Sequence, residues 1–330
     1  MTASTFRLGI AHDGAHWSRA CEASGQKITA FHTWTWLRAA APLLAGTFVP
    51  YVVRRGSVDV GVLPILVRRR GLLATIDCVP FPYCGPLVPA DALPDCLALL
   101  RREATRRLTV RTTIQFPPGA TVDAELLRSH QFTPRGDVTY VIDTSVSEER
   151  LWAGLTSECR RRVRMTERSG LRIDLEPDPR LLDDFHRYTF ADRGGRSGYV
   201  ADLSRALARL AGPDLRLRCV SAVRDGEPLG VLVTLATDTA ALGWMGGVFP
   251  QHRATHAGHL LYWDAIRWAA TTGCRTLDMV GVPNEGIARF KRQFGGSLES
   301  YVVGERDAPA AKPFLARRRG TSRPTGPDRA

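Results

Sequence analysis

The sequence predicts an α+β fold in which one unit is used twice, and three observations carry that expectation. Two pairs of strand-like runs are each joined by a tight-turn signal. Residues 48–54 and 58–68 flank Gly56-Ser57, and residues 215–224 and 228–236 flank Asp225-Gly226. Helical stretches precede each pair, and a helix followed by a strand comes after each. The chain has 330 residues, 44% of them hydrophobic, enough for two ordinary domains. Antiparallel meanders followed by a helix and a strand argue against a doubly wound parallel sheet.

In the first half, residues 13–24 and 31–45 read as helices, with Asp13 capping the first. The first hairpin follows, then a strand over 72–79. The stretch FPYCGPLVP, rich in proline, requires an irregular loop. A helix over 94–107, a strand over 108–116 with β-branched VRTTI, a short helix over 123–129 and a strand over 139–143 complete this half.

The second half opens near Ser145. One helix is expected from Ser147 through Arg160, Arg161, Arg162, Arg164 and Arg168, closed by Gly170. Next come a strand over 171–175, helices over 178–191 and 201–210 around the loop DRGGRSGY, the second hairpin, and a strand over 240–248. Residues 255–296 form the densest unit. Leu260, Leu261, Ala265, Trp268 and Ala269 recur at helical spacing, with Gly273 as a stop. Residues 274–280 are of strand length, broken by Gly281 and Pro283, and Asn284 suits an N-cap. On the following helix Ile287, Phe290 and Phe294 share a face that Lys291 borders. Gly295-Gly296 ends it, and 298–303 returns as a strand. The expected division is a first domain over 1–144, a second over 145–304, and a basic, disordered tail over 305–330.

No run reaches the roughly 18 apolar residues of a membrane helix, and the first residues lack the pattern of a secretory signal. A cytoplasmic, monomeric protein is expected. Seven cysteines at 21, 78, 84, 96, 159, 219 and 274 show neither a disulfide framework nor zinc-ligand spacing. His252, His256 and His259 lack a third ligand or a carboxylate partner, so no metal site is expected. The net charge of +12 favours polyanionic partners such as tRNA, nucleotide phosphates or anionic headgroups, although the basic tail alone also raises it.

Three groups of residues in the unit over 255–296 carry a resemblance. They are Trp263, Ala265, Ile266, Ala269 and Gly273; Leu277, Asp278 and Gly281; and Phe290, Lys291, Phe294, Gly295 and Gly296. Arg161, Arg164 and Gly170 form a second match, and FHTWTWL, VLPILV and PFPYCGPLV a third. Together they resemble the Fem-type acyltransferases, relatives of the GNAT N-acyltransferases. The resemblance implies two tandem GNAT-like domains, each a mixed, largely antiparallel sheet flanked by helices. It implies amide formation from aminoacyl-tRNA onto an amine, with no cofactor. The acceptor would be a natural-product intermediate or a cell-wall precursor.

By the same resemblance Lys291 would stabilise charge during transfer and Phe290 would lie where the acceptor end of tRNA docks. Read alone, Lys291 also suits a solvated surface and Phe290 the core. Arg193, Arg196 and Tyr199 match the family's acceptor loop at compressed spacing, and Tyr83 its substrate loop, with Cys84 where an arginine is usual. Trp244 is a further candidate for lining the pocket. Arg160, Arg161, Arg164 and Arg292 are candidates for tRNA phosphates, or else a solvated helix face. An acyl-CoA-dependent N-acyltransferase acting on a sugar or amino-acid amine is the alternative. Its pyrophosphate loop would fall on residues 253–258, where His256 replaces a glycine.

Overall fold

Both hairpin turns form as the sequence suggests, and each starts a meander that ends in a parallel pair. The computed structural model describes residues 6–77, 83–192, 202–210 and 212–308. The first half contains β1 (Phe6–Ile10), α1 (Gly14–Ala23), α2 (Trp34–Ala40), β2 (Thr47–Arg55), β3 (Val58–Arg70), β4 (Leu73–Ile76), α3 (Leu93–Arg106), β5 (Thr109–Gln115), α4 (Ala124–Ser129) and β6 (Thr133–Asp143). The second contains α5 (Glu148–Gly154), α6 (Ser157–Arg168), β7 (Arg172–Asp174), α7 (Arg180–Asp192), α8 (Leu203–Leu207), β8 (Arg216–Arg224), β9 (Glu227–Ala236) and β10 (Ala240–Val248). It closes with α9 (Ala257–Thr271), β11 (Thr276–Asp278), α10 (Glu285–Arg292) and β12 (Ser297–Asp307).

The repeat is visible in the pairing. β1 to β4 are antiparallel and β4 is parallel to β5 across α3; β7 to β10 are antiparallel and β10 is parallel to β11 across α9. All the described strands join one sheet in the order β1-β2-β3-β4-β5-β12-β6-β11-β10-β9-β8-β7. The sheet does not part at residue 144, because β12 stands between β5 and β6, antiparallel to both.

Each half has a core of its own, and a third core lies between them. Trp17, Trp36 and Leu43 from the first half pack with Leu182, Leu235 and Trp244 from the second. The rings of Trp36 and Trp244 meet edge to face at 4.7 Å. Asp214 ties the same seam by accepting from the Trp34 N–H at 2.7 Å.

One strand was missed and three expectations are corrected. β1 was not anticipated. The helix expected from Ser147 is two helices, because Leu155 is extended and Thr156 caps α6 by accepting from the Cys159 N–H. β6 begins at Thr133 rather than Thr139, since the polar stretch Arg135 to Asp137 finds its ladder partners on β12. β12 runs to Asp307, held to Arg111 of β5 at 2.7 Å, so the tail cannot start at 305.

Candidate active site

The second meander opens where β10 and β11 part. They pair only over Ala240–Leu242 against Thr276–Asp278, after which β10 continues along β9 with a bulge between Gly243 and Met245. Beyond Asp278 the chain bends through two left-handed residues, Val280 at φ 52° and Gly281 at φ 68°. A β-branched residue there costs about 1–3 kcal/mol, so its surroundings must impose it.

They do so with a closed set of hydrogen bonds. Asp278 accepts from the Val280 N–H at 2.7 Å and from the Thr139 hydroxyl at 2.6 Å, and Thr139 accepts from the Gly281 N–H at 3.1 Å. Lys291, 5% exposed, donates to the carbonyls of Met279, Val280 (2.9 Å) and Gly281 (2.6 Å). Burial pulls the lysine down to about 8, opposed by the Asp278 carboxylate, and burial raises Asp278. A solvated Lys291 is thereby ruled out. All three ammonium protons have acceptors, so Lys291 can act on a neighbouring group only through its field and not through a free N–H.

Phe290, the residue before Lys291, packs against the start of α9. A Cβ on Gly258 would stand 3.5 Å from the Phe290 ring and 3.2 Å from Val248. Phe290 also meets His259 at 5.1 Å, Tyr262 at 5.4 Å and Phe294 at 5.2 Å. Burial pushes His259 down to about 4, so it is neutral near pH 7. His256 occupies the N-cap of α9 at φ 60° and its side chain caps nothing. Among the described residues no group of histidine, cysteine or carboxylate side chains is set to hold a metal.

The two glycines after Phe294 have a steric cause. A Cβ on Gly295, at φ 78°, would fall 2.3 Å from the Gly154 carbonyl oxygen, and one on Gly296 2.8 Å from that of Val141. They let the end of α10 dock on α5 and β6. Gly295→Ala is expected to lose about 2–4 kcal/mol, read from the denaturant midpoint.

The remaining sequence candidates divide. Tyr83 is wholly buried at φ 67°, edge to face with Tyr301 at 4.9 Å. Its hydroxyl, without a well-formed hydrogen bond, faces Thr139 and the Gly281 backbone. Gly85 clamps this loop by donating to the Gln115 carbonyl at 2.7 Å. Tyr83 and Trp244 are both buried at the seam of the two halves, Tyr83 against Tyr301 and Trp244 against Trp36. Arg193, Arg196 and Tyr199 lie outside the described residues.

Among the arginines, Arg160 caps α5 through the Trp152, Ala153 and Leu155 carbonyls, and Arg161 pairs with Glu158 at 2.8 Å. Arg164 lies 5.3 Å over the Trp152 ring and Arg292 donates to the Tyr140 hydroxyl. Arg160, Arg161, Arg164 and Arg168 line one depression of about 500 Å³. Sequence reasoning missed Thr139 and assigned Asp278 no task; the Asp-Met-Val-Gly step at a strand end was the available signal.

Residues 155–292 match the family model described as an acetyltransferase (GNAT) domain. Among solved structures FemX is similar with a TM-score of 0.67 at 11% identity, covering 94% of this chain and 99% of FemX. The fold is the Fem-type tandem GNAT fold. A tandem GNAT protein from the clavulanic acid biosynthesis pathway shares it at TM-score 0.57 and 17% identity, covering 92% of this chain and 98% of that one. So does L-PGS from Bacillus licheniformis, at 0.56 and 12%, covering 96% and 100%. No curated protein sequence matches the chain. In the Fem-type fold described here, the matched segment contains the whole divergence of β10 and β11, together with Phe290 and Lys291.

Proposed function

We propose that the protein is an aminoacyltransferase that moves an amino acid from tRNA onto an amine, at the divergence of β10 and β11. The acceptor amine attacks the ester carbonyl. The amide C–N bond forms, the ester C–O bond breaks, and the ribose hydroxyl takes up the proton the amine gives up. Negative charge passes through the carbonyl oxygen and the departing ribose oxygen, and a buried ammonium nearby lowers that barrier. At roughly 6 Å and an effective dielectric of about 20, one charge contributes about 3 kcal/mol.

One observation supports this reading above the others: Lys291 is a buried cation held on the turn that follows β11, and Phe290, its neighbour on α10, packs against the start of α9. Phe290 offers a ring for a terminal base. Arg161, Arg164 and Arg168, exposed on α6 round one depression, suit the phosphates that follow. The acceptor is a small natural-product amine or a cell-wall precursor, and the working unit is a cytoplasmic monomer without a cofactor.

A second reading has an observation of its own. The first turn of α9 starts without a side-chain cap, as a pyrophosphate site requires, which favours an acyl-CoA donor onto a sugar or amino-acid amine. The two part in one experiment: labelled amino acids on total tRNA, and labelled acetyl-CoA, each offered with a panel of amines. Label transfer abolished by ribonuclease supports the first reading. Transfer from acetyl-CoA that ribonuclease leaves intact overturns it.

A further inference from the structure

At the end of the first half where β3 turns into β4, the surface combines two features that rarely adjoin. Leu72 is 80% exposed and Leu73 52%, at a turn made by Gly71 at φ 60°. Leu108, 58% exposed, stands next to them, because its carbonyl accepts from the Ala74 N–H at 3.2 Å. Leu108 directly follows the C-cap of α3 at φ 52°, a position where glycine is the more stable choice. A large apolar side chain is thus held in water and in a strained backbone at once.

Around these leucines the charge is positive and largely uncompensated. Arg68, Arg106, Arg107 and Arg111 are paired with Asp77, Glu103 and Asp307. Among the described residues no carboxylate lies within ion-pair distance of Arg69 and Arg70 at the turn, or of Arg101 and Arg102 on α3. Arg306 at the end of β12 reaches only the Gln131 side-chain oxygen, at 3.4 Å, and it is pulled down by burial and by the neighbouring Arg101.

We infer that this tip is a membrane-docking surface, in which Leu72, Leu73 and Leu108 enter the headgroup region of an anionic bilayer while the surrounding arginines meet its lipid phosphates. Aliphatic side chains on a convex turn, ringed by arginine, suit a lipid interface, which accepts both. A nucleic acid would meet the arginines but gain nothing from three leucines, and it rewards aromatic platforms instead. Residues 309–330 do not suit the patch either, since Lys312 and Arg317 to Arg319 carry the same sign of charge. Asp307, beside the patch, and Tyr301, beside Tyr83, are roughly 20 Å apart along β12 at ~3.4 Å per residue, so the docking surface lies away from the turn after β11.

Flotation of the full chain with phosphatidylcholine vesicles, with and without about one-third phosphatidylglycerol, tests this without reference to turnover. Binding to the anionic vesicles alone is expected, weakening with salt. It should fall about fivefold for each of Arg69→Ser and Arg70→Ser, and about tenfold or more for Leu72→Ser with Leu73→Ser. Leu108→Gly should weaken binding while keeping or raising the thermal midpoint, which separates docking from folding. No binding to anionic vesicles at low salt overturns the inference, as do leucine variants that partition like the parent. Leucine variants that lose affinity for bulk tRNA but not for vesicles overturn it too.

Discussion

Lys291→Met is expected to slow transfer about hundredfold and to destabilise the fold by about 3 kcal/mol. The rate effect follows from removing one buried charge worth about 3 kcal/mol to a developing oxyanion. The stability effect follows from three carbonyls, of Met279, Val280 and Gly281, that lose their donor in the interior. The two effects separate by pH. Burial places Lys291 at about 8, below its ordinary 10.5, so the folded protein loses this proton first as pH rises. Between those values the unfolded chain binds more protons, and linkage makes the group's contribution to stability increase with pH. Transfer that depends on the charge moves the other way and falls above about pH 8. A kcat profile descending through that value in an enzyme still folded, and flat in Lys291→Met, is the expected record. An unchanged rate in Lys291→Met removes the residue from the mechanism.

Trp36→Ala should destabilise the protein by about 3–5 kcal/mol, because the indole fills the core between the two halves. Its ring meets Trp244 at 4.7 Å and Phe31 at 5.1 Å. The double variant with Trp244→Ala should lose less than the sum of the single losses, since each opens part of the same cavity. Denaturant melts of the three variants check this, and strict additivity would show that the two rings do not share a cavity.

The residues around Phe290 were legible because their message is local. A glycine pair ending an amphipathic helix, after a strand broken at Gly281, describes a chain path that the structure reproduces. The environment of Lys291 was not legible. Its burial depends on a turn whose shape Thr139 fixes from β6, more than a hundred residues away in the chain. Tyr83, named from its resemblance to a substrate loop, and Trp244 are covered by rings of the opposite half, a burial that aromatic character alone does not reveal. The arginines of α6 show the reverse case. Sequence gives their charge, but only the break at Leu155 reveals that Arg160 is occupied with the end of α5. The start of β6 escaped notice because it is too polar to alternate cleanly; β1 does alternate, with Phe6, Leu8 and Ile10 on one face, but has only five residues.

The placement of β12 has a consequence for biosynthesis. Residues 297–307 are translated after everything they pair with, yet their strand occupies the middle of the sheet. On the ribosome β5 and β6 emerge as unzipped edges and wait for more than 150 further residues, about eight to thirty seconds at about 5–20 residues per second. Through that interval the nascent chain exposes two sticky flanks. Its yield in a foreign host should therefore respond more to holdase chaperones and slower growth than to any gain in the stability of the finished protein.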